Sequence, residues 1–237
     1  MKVDTTMRIL VTGASRGLGL EFVRQALARG DTVVAGARDL QRSSALLDLS
    51  GAYPGRLHTL ALDVADSTRF GHFADAVAER VPSLDLLINN AGILARGETF
   101  GNLQAATFID AFNTNALGPL LLTQSLTPLL QRGIDPLVLN LSSDLGSMTH
   151  TAGFYLPSYD VSKAALNMVG VLLGHALAEH GVRVLNLHPG WVRTDMGGDG
   201  AQLDASDVVE SIFQTLAGLP RATSGVFIDR HGAGLPW

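Results

Sequence analysis

Seven short runs rich in Val, Leu, Ile and Ala punctuate this chain, at residues 8–12, 32–35, 57–62, 84–89, 136–141, 182–187 and 226–228. Most are apolar at consecutive positions, not at alternate ones. A strand that is apolar on both sides must be covered on both sides, which is the condition of a parallel sheet sandwiched between helices. Segments with helical spacing lie between the runs, at 17–29, 39–48, 66–80, 103–131, 158–179 and 205–217. Asp66 is placed to cap a helix start, and Gly30, Gly133 and Gly181 to end helices. Strand–helix alternation of this kind implies right-handed crossovers. The expected fold is α/β, a single-domain Rossmann-type doubly wound parallel sheet of about seven strands with helices on both faces.

No linker, internal repeat or low-complexity tract divides the 237 residues, so one domain over 1–237 is expected. A hydrophobic content of 46% with 16% charged residues suits a large core. The net charge of -5 and the lack of a long basic run argue against a nucleic-acid partner. Without cysteine the chain has no disulfide, thiolate metal site or thiol nucleophile. Residues 1–6 are polar and lead straight into a strand, with Met7 a second candidate start; no secretory segment or membrane span is expected, and a cytoplasmic location follows. The seven histidines are scattered, and His175 and His180 do not share a helical face. Asp195, Asp199, Asp204 and Asp207 read as a solvated, glycine-spaced loop, so no metal site is expected.

The turn after the first run carries Gly13, Gly17 and Gly19. Glycine there permits positive φ and lets backbone N–H groups approach a pyrophosphate at a helix N-terminus. The spacing is Gly-x-x-x-Gly-x-Gly, not Gly-x-Gly-x-x-Gly, and a glycine-rich turn without a ligand is the plain alternative. The second run ends at Arg38, where NAD binders place an acidic residue for the ribose 2′-hydroxyl. Arg16 adds a cation inside the glycine turn. Two guanidiniums converging on a 2′-phosphate would favour NADP(H) over NAD(H), unless both are ordinary surface arginines, with Asp39 pairing Arg38.

Two further segments fall at strand ends, where ligands bind in open α/β sheets: Asp63-Val64 and Asn89-Asn90-Ala91-Gly92. Seen alone, each could be a cap or a turn. After the fifth run come Ser142 and Ser143, then Tyr159 and Lys163 four residues apart on one helical face. A tyrosine is a poor base at neutral pH unless a nearby cation favours the phenolate; Lys163 is expected to lower its pKa.

These motifs together resemble the short-chain dehydrogenase/reductase family over essentially the whole chain. Thr12 to Gly19 is similar to its Thr-Gly-x-x-x-Gly-x-Gly turn, Asn89 to Gly92 to its Asn-Asn-Ala-Gly, and Tyr159 to Lys163 to its Tyr-x-x-x-Lys. His188-Pro189-Gly190-Trp191-Val192-Arg193-Thr194 is similar to its Pro-Gly segment. The resemblance implies NADP(H)-dependent interconversion of a small carbonyl compound and its alcohol. By it, Tyr159 moves the proton, Ser143 (second of its pair, preferred to Ser142) orients the carbonyl, Lys163 lowers the tyrosine pKa and binds the nicotinamide ribose, and Asn115 holds a relay water. It also implies cofactor contacts from Gly13, Ser15, Arg16, Gly17, Leu18, Gly19 and Arg38, from Asp63 and Asn90 on the adenine side, from Val64, Ala91, Gly92, Tyr159 and Lys163, and from Pro189, Gly190, Val192 and Thr194, the last at the carboxamide. Residues 194–198 and 232–237 further resemble the sniffer/C-factor-like carbonyl reductases, which leaves a cofactor-binding signalling or sensor protein with little turnover as the alternative. A sugar-nucleotide epimerase would need a larger C-terminal domain. Segments 103–131 and 158–179 are apolar around much of their circumference, so a homodimer is expected. Residues 195–205, with Gly197, Gly198 and Gly200, are expected to form a short mobile loop over an open site, and Phe154 and Tyr155 either to wall the pocket or to pack.

Overall fold

The computed structural model describes residues 6–237; residues 1–5 of the polar leading segment lie outside the described residues. The seven expected runs form seven strands: β1 (Arg8–Thr12), β2 (Thr32–Ala37), β3 (Leu57–Ala61), β4 (Leu86–Asn89), β5 (Leu137–Leu141), β6 (Arg183–His188) and β7 (Val226–Asp229). They make one parallel sheet in the order β3-β2-β1-β4-β5-β6-β7. The chain winds outwards from β1 to β3, then restarts at β4 on the other side of β1. That reversal opens a crevice at the carboxyl ends of β1 and β4.

The alternating side chains of the strands feed two separate cores. Ile9, Val11, Val33, Ala35, Leu86, Ile88, Leu139 and Leu185 face helices α1 (Gly17–Ala28), α2 (Ser44–Ala52) and α7 (Ala205–Gly218). Leu10, Val34, Leu87, Val138 and Val184 face α3 (Phe70–Ala78), α5 (Gly118–Leu130) and α6 (Pro157–Ala176). Every strand except β3 and β7 is buried along nearly its whole length, as the unbroken apolar runs require.

Two helices depart from expectation for visible reasons. Helix α2 starts at Ser44 and not near Asp39, because Asp39 builds a turn of its own. Its carboxylate accepts the N–H groups of Gln41 and Arg42, and the Ser43 hydroxyl donates to its carbonyl. The segment 103–131 is α4 (Ala105–Phe112), one π turn (Asn113–Leu117) and α5. At the junction α5 presses onto the loop after β3, where a Cβ on Gly118 would stand 2.2 Å from the Val64 carbonyl oxygen. A π turn absorbs one extra residue per turn, and here it turns Asn115 inward to full burial.

The second core holds a polar feature that periodicity does not announce. Asn89, Asn140 and Asn186 sit at the same level of β4, β5 and β6. The Asn89 amide donates to Asn140 Oδ1 (2.9 Å), and the Asn140 amide donates to Asn186 Oδ1 (3.0 Å). The Asn186 amide in turn donates to the Asn167 carbonyl on α6 (3.0 Å). Helix α6 lies so close that a Cβ on Gly170 would come within 2.1 Å of Asn186. The ladder therefore ties α6 to the centre of the sheet.

The end of the chain returns to the loop between β5 and α6. Leu235 donates to the Phe227 carbonyl, the Trp237 ring stacks on Phe227 (5.8 Å), and the Trp237 main-chain oxygen accepts from both Thr149 N–H (3.0 Å) and Thr149 Oγ1 (2.9 Å).

Candidate active site

The glycine turn lies in the crevice between β1 and β4. Gly13 and Gly17 have φ of +64° and +55°. A Cβ on Gly13 would meet Ala91 Cα at 2.8 Å, and one on Gly19 would meet the Gly13 carbonyl oxygen at 2.3 Å. The turn is also latched to β4. Thr12 Oγ1 accepts the N–H groups of Asn90 and Ala91 (3.0 Å each), and the Asn90 amide donates to the carbonyls of Thr12 (2.8 Å) and Gly13 (3.2 Å). The Asn90 side chain thus shapes the turn instead of reaching outward. Helix α1 begins after Arg16 with no side-chain cap. Its first amides have no side-chain cap, which is the condition for receiving an anionic group. The cradle fits a dinucleotide pyrophosphate.

The residues expected around the adenosine end take separate positions. Asp39 pairs with Arg42 (3.4 Å), leaving the exposed Arg38 without a carboxylate partner among the described residues. Arg16 instead donates to Asp195 (2.7 Å), both side chains being largely exposed. Convergence of the two guanidiniums is therefore not set up in this arrangement. The Asp63 carboxylate turns back to accept the Ala65 N–H (3.0 Å), and Val64 is buried in the second core.

Ser143 follows β5, and Tyr159 and Lys163 occupy the first two turns of α6, where Pro157 fixes the helix start. Ser142 is buried and donates to Asn167 Oδ1 (2.6 Å), whereas Ser143 lines a cavity together with Tyr159. Ser143 Oγ accepts the Leu145 N–H and donates to Asp144 Oδ1, both at 3.2 Å. The Lys163 ammonium donates to the Leu141 carbonyl (2.6 Å) and stands 5.5 Å from the centre of the Tyr159 ring. Both groups are deeply buried.

Burial pushes the Tyr159 phenol up to about 12; Asp144 and Asp160 act in the same direction, and the Ser143 hydroxyl offsets part of it. The expected lowering by Lys163 is not found. Its ammonium is directed at a carbonyl, and burial brings its own pKa down to about 8. Asn115 is also committed: its Oδ1 accepts the Ile93 N–H (2.8 Å), and its amide donates to the Ile93 carbonyl (2.9 Å) and Ser162 Oγ (2.8 Å). It joins the loop after β4, where Gly92 leaves room beside Lys163, to α6.

The cavity measures about 410 Å³. Leu18, Pro189, Gly190, Val192 and Thr194, expected on the cofactor side, border it. Asp144, His188, Trp191 and Arg96 border it as well. None of these four was singled out from the sequence, although Asp144 adjoins Ser143, and His188 and Trp191 belong to the Pro-Gly segment. Phe154 and Tyr155 do not line it; Phe154 packs edge-on against Phe100 (5.8 Å).

The segment after Thr194 is not the loose loop its glycines suggested. Gly198 donates to the Thr194 carbonyl (2.8 Å), Gly197 donates to Thr194 Oγ1 (3.1 Å), and the Trp191 indole donates to the Gly197 carbonyl (2.9 Å). Arg96 reaches across the cavity to the Met196 carbonyl (2.7 Å). A Cβ on Gly197 would stand 2.0 Å from the Val192 carbonyl oxygen. Glycine there serves close packing, and Met196 and Gly197 become a wall of the cavity.

Comparison with known proteins matches residues 7–203 to the short chain dehydrogenase family. The C-signal protein of Myxococcus xanthus is 38% identical over 154 residues, covering 65% of this chain and 93% of that protein. An NADPH-bound carbonyl reductase from chicken fatty liver superposes with a TM-score of 0.92 at 34% identity, covering 98% of this chain and 99% of that one. The carbonyl reductase Sniffer of D. melanogaster superposes with a TM-score of 0.93 at 28% identity, covering 98% and 100%.

Proposed function

Because this chain belongs to the short-chain dehydrogenase family, we propose that it is an NADP(H)-dependent oxidoreductase that interconverts a small carbonyl compound and its alcohol, with Tyr159 as proton donor and acceptor. One observation carries this reading: Ser143 and Tyr159 line a common cavity with Leu18 of the first turn of α1 and with Thr194, against which Gly17 of the glycine turn packs. When bound, the nicotinamide supplies or takes up the hydride. Gly13, Ser15, Gly17, Leu18 and Gly19 would hold its pyrophosphate, and Pro189, Gly190, Val192 and Thr194 the nicotinamide side. Asp63, Val64, Asn90, Ala91 and Gly92 frame the adenine side, Asp63 and Asn90 chiefly by fixing the backbone there.

In the reductive direction the Ser143 hydroxyl donates to the substrate carbonyl oxygen and fixes it beside the phenol. Tyr159 then gives its proton to that oxygen as the alcohol forms. A phenol held near 12 keeps its proton throughout the neutral range, which suits an acid acting on a carbonyl. Lys163 lies beside Tyr159, where its remaining N–H groups serve the nicotinamide ribose. Asn115, clamped to Ile93 and Ser162, holds the loop and helix that a relay water would bridge.

The exposed and unpaired Arg38 supports NADP(H) over NAD(H), and the NADPH-bound chicken enzyme is consistent with it. The exposed apolar side chains of α4 (Ile109, Phe112) and α6 (Val161, Met168, Leu172), two helices that pack against each other, support a homodimer. A cytoplasmic protein acting on small molecules fits the same reading. The likeness to C-signal favours one second reading, a cofactor-binding signalling protein with little turnover.

The test is Tyr159→Phe. Cofactor affinity, followed by NADPH fluorescence, should be unchanged, while kcat for carbonyl reduction should fall by about 10²–10⁴-fold. A variant with wild-type kcat refutes the role of Tyr159. Tight cofactor binding without turnover in the wild type would instead support the signalling reading.

A further inference from the structure

We infer that Asp144 is a specificity-determining residue that reads the carbon next to the substrate carbonyl, selecting compounds with a hydroxyl there, the α-hydroxy ketones and aldehydes, over those with a carboxylate. The inference rests on the carbonyl-reductase reading of the same cavity. Asp144 directly follows Ser143, borders the cavity with Ser143 and Tyr159, and has a side chain that is 48% exposed towards it.

Its position is fixed by its backbone. The Asp144 N–H donates to His188 Nδ1 (3.1 Å), and its carbonyl accepts the Ser147 N–H (2.9 Å) as the 3₁₀ turn Asp144–Gly146 closes. His188 is largely buried, and burial holds its pKa below the ordinary histidine value. With Nδ1 already accepting an N–H, the ring is neutral, so the 3.5 Å approach of Nδ1 to the Asp144 carboxylate is not an ion pair. Arg96, the cation bordering the same cavity, is turned to the Met196 carbonyl. Among the described residues nothing neutralises the Asp144 carboxylate.

The selection follows from hydrogen-bond bookkeeping. Ser143 has a single hydroxyl proton, and in the free protein Asp144 Oδ1 at 3.2 Å and the Tyr159 oxygen are the acceptors it can serve. A carbonyl substrate needs that same proton. When Ser143 turns to the substrate oxygen, Asp144 Oδ1 loses its donor at the moment the substrate displaces water from the cavity. A hydroxyl on the adjacent carbon restores the lost bond, an ether oxygen there cannot, and a carboxylate there repels the anion. The rest of the wall, Leu94, Leu145, Leu156, Trp191 and Met196, is dominated by apolar surface and makes no such distinction.

The test compares hydroxyacetone, methoxyacetone and pyruvate as substrates of the full chain with NADPH. For the wild type, kcat/KM for hydroxyacetone should exceed that for methoxyacetone by about tenfold or more, the scale of a hydrogen bond to a charged group. Asp144→Leu should bring the two within about twofold of each other. Asp144→Asn, which keeps an acceptor oxygen and the shape, should retain the hydroxyl preference and raise kcat/KM for pyruvate by about tenfold. If the leucine variant does not fold, the asparagine variant decides alone. Equal use of hydroxyacetone and methoxyacetone by the wild type, or a pyruvate rate unmoved in Asp144→Asn, overturns the inference while leaving the reductase reading intact. Failure of the wild type to reduce any carbonyl with NADPH or NADH refutes the reductase reading itself, and the inference with it.

Discussion

Replacing Asn140 by leucine is the most direct probe of how the site is held. Asn140 is fully buried, and its amide is the middle rung between Asn89 and Asn186. Leucine of similar size leaves Asn186 Oδ1 without a donor and reduces the Asn89 amide to its 3.3 Å contact with Thr123 Oγ1. Asn89 Oδ1 already lacks a partner, so that residue has no spare bond to fall back on. Each newly orphaned buried group costs about 1–3 kcal/mol, and burial of the leucine methyls returns about 1–2 kcal/mol. With one group orphaned and one bond of the Asn89 amide lost, the net loss should be about 1–2 kcal/mol, a sizeable share of the ~5–15 kcal/mol that holds a typical domain folded. Urea unfolding followed by tryptophan fluorescence should show a lower midpoint at an unchanged slope. Adding Asn186→Leu should cost less than a second independent loss, because a polar pair removed together leaves fewer orphans. A single Asn140→Leu variant with a midpoint at or above wild type refutes the reasoning.

Three further outcomes are expected. Arg38→Asp should weaken NADPH binding by about tenfold or more and leave NADH equal or tighter, with the NADPH effect shrinking as salt rises; equal affinity of the wild type for both cofactors contradicts the assignment. Asp160, raised to about 6 by burial and then by Glu98 and Asp144, is destabilising once ionised. Its folded pKa lies above the ordinary value, so its contribution to stability is present at low pH and lost as pH rises through 6. Allowing for solvent screening of this partly exposed group, Asp160→Asn should raise Tm by about 2–4 °C at pH 7 and hardly at all near pH 4; equal shifts at both pH values argue against the titration. Leu172→Glu combined with Ile109→Glu should convert a dimer to monomers in sedimentation equilibrium, and a wild type that sediments only at 25.0 kDa removes the basis for that experiment.

The architecture was legible because a parallel sheet forces its strands to be apolar at consecutive positions, and residues 8–12 or 137–141 can serve few other purposes. The cofactor turn was legible because Gly13 and Gly19 stand where any Cβ would collide with backbone. Side-chain commitments were not. Asn90, Asp63 and Asn115 carry the right chemistry at the right strand or helix ends, yet each spends it on nearby backbone. The Asn89–Asn140–Asn186 ladder was invisible because its spacing exists only across strands, once register is known. The tyrosine pKa was misread for a related reason: four residues of helix bring Lys163 to the ring, but the Leu141 carbonyl claims its ammonium. The glycines at 197 and 198 suggested mobility, but at Gly197 the Val192 carbonyl oxygen leaves no room for a Cβ, so glycine there serves close contact.

The bond between Thr149 and the Trp237 main-chain oxygen spans 88 residues. A contact that distant forms late, since the intervening chain must first be ordered for its ends to meet. During synthesis, β1 to β6 and the helices between them can assemble while residues 226–237 are still being added. In that interval the loop that separates Ser143 from Tyr159 is held by its own turns and by α6, and lacks the two bonds from Thr149 to Trp237. The growing chain can therefore acquire its sheet before this loop acquires its full set of supports.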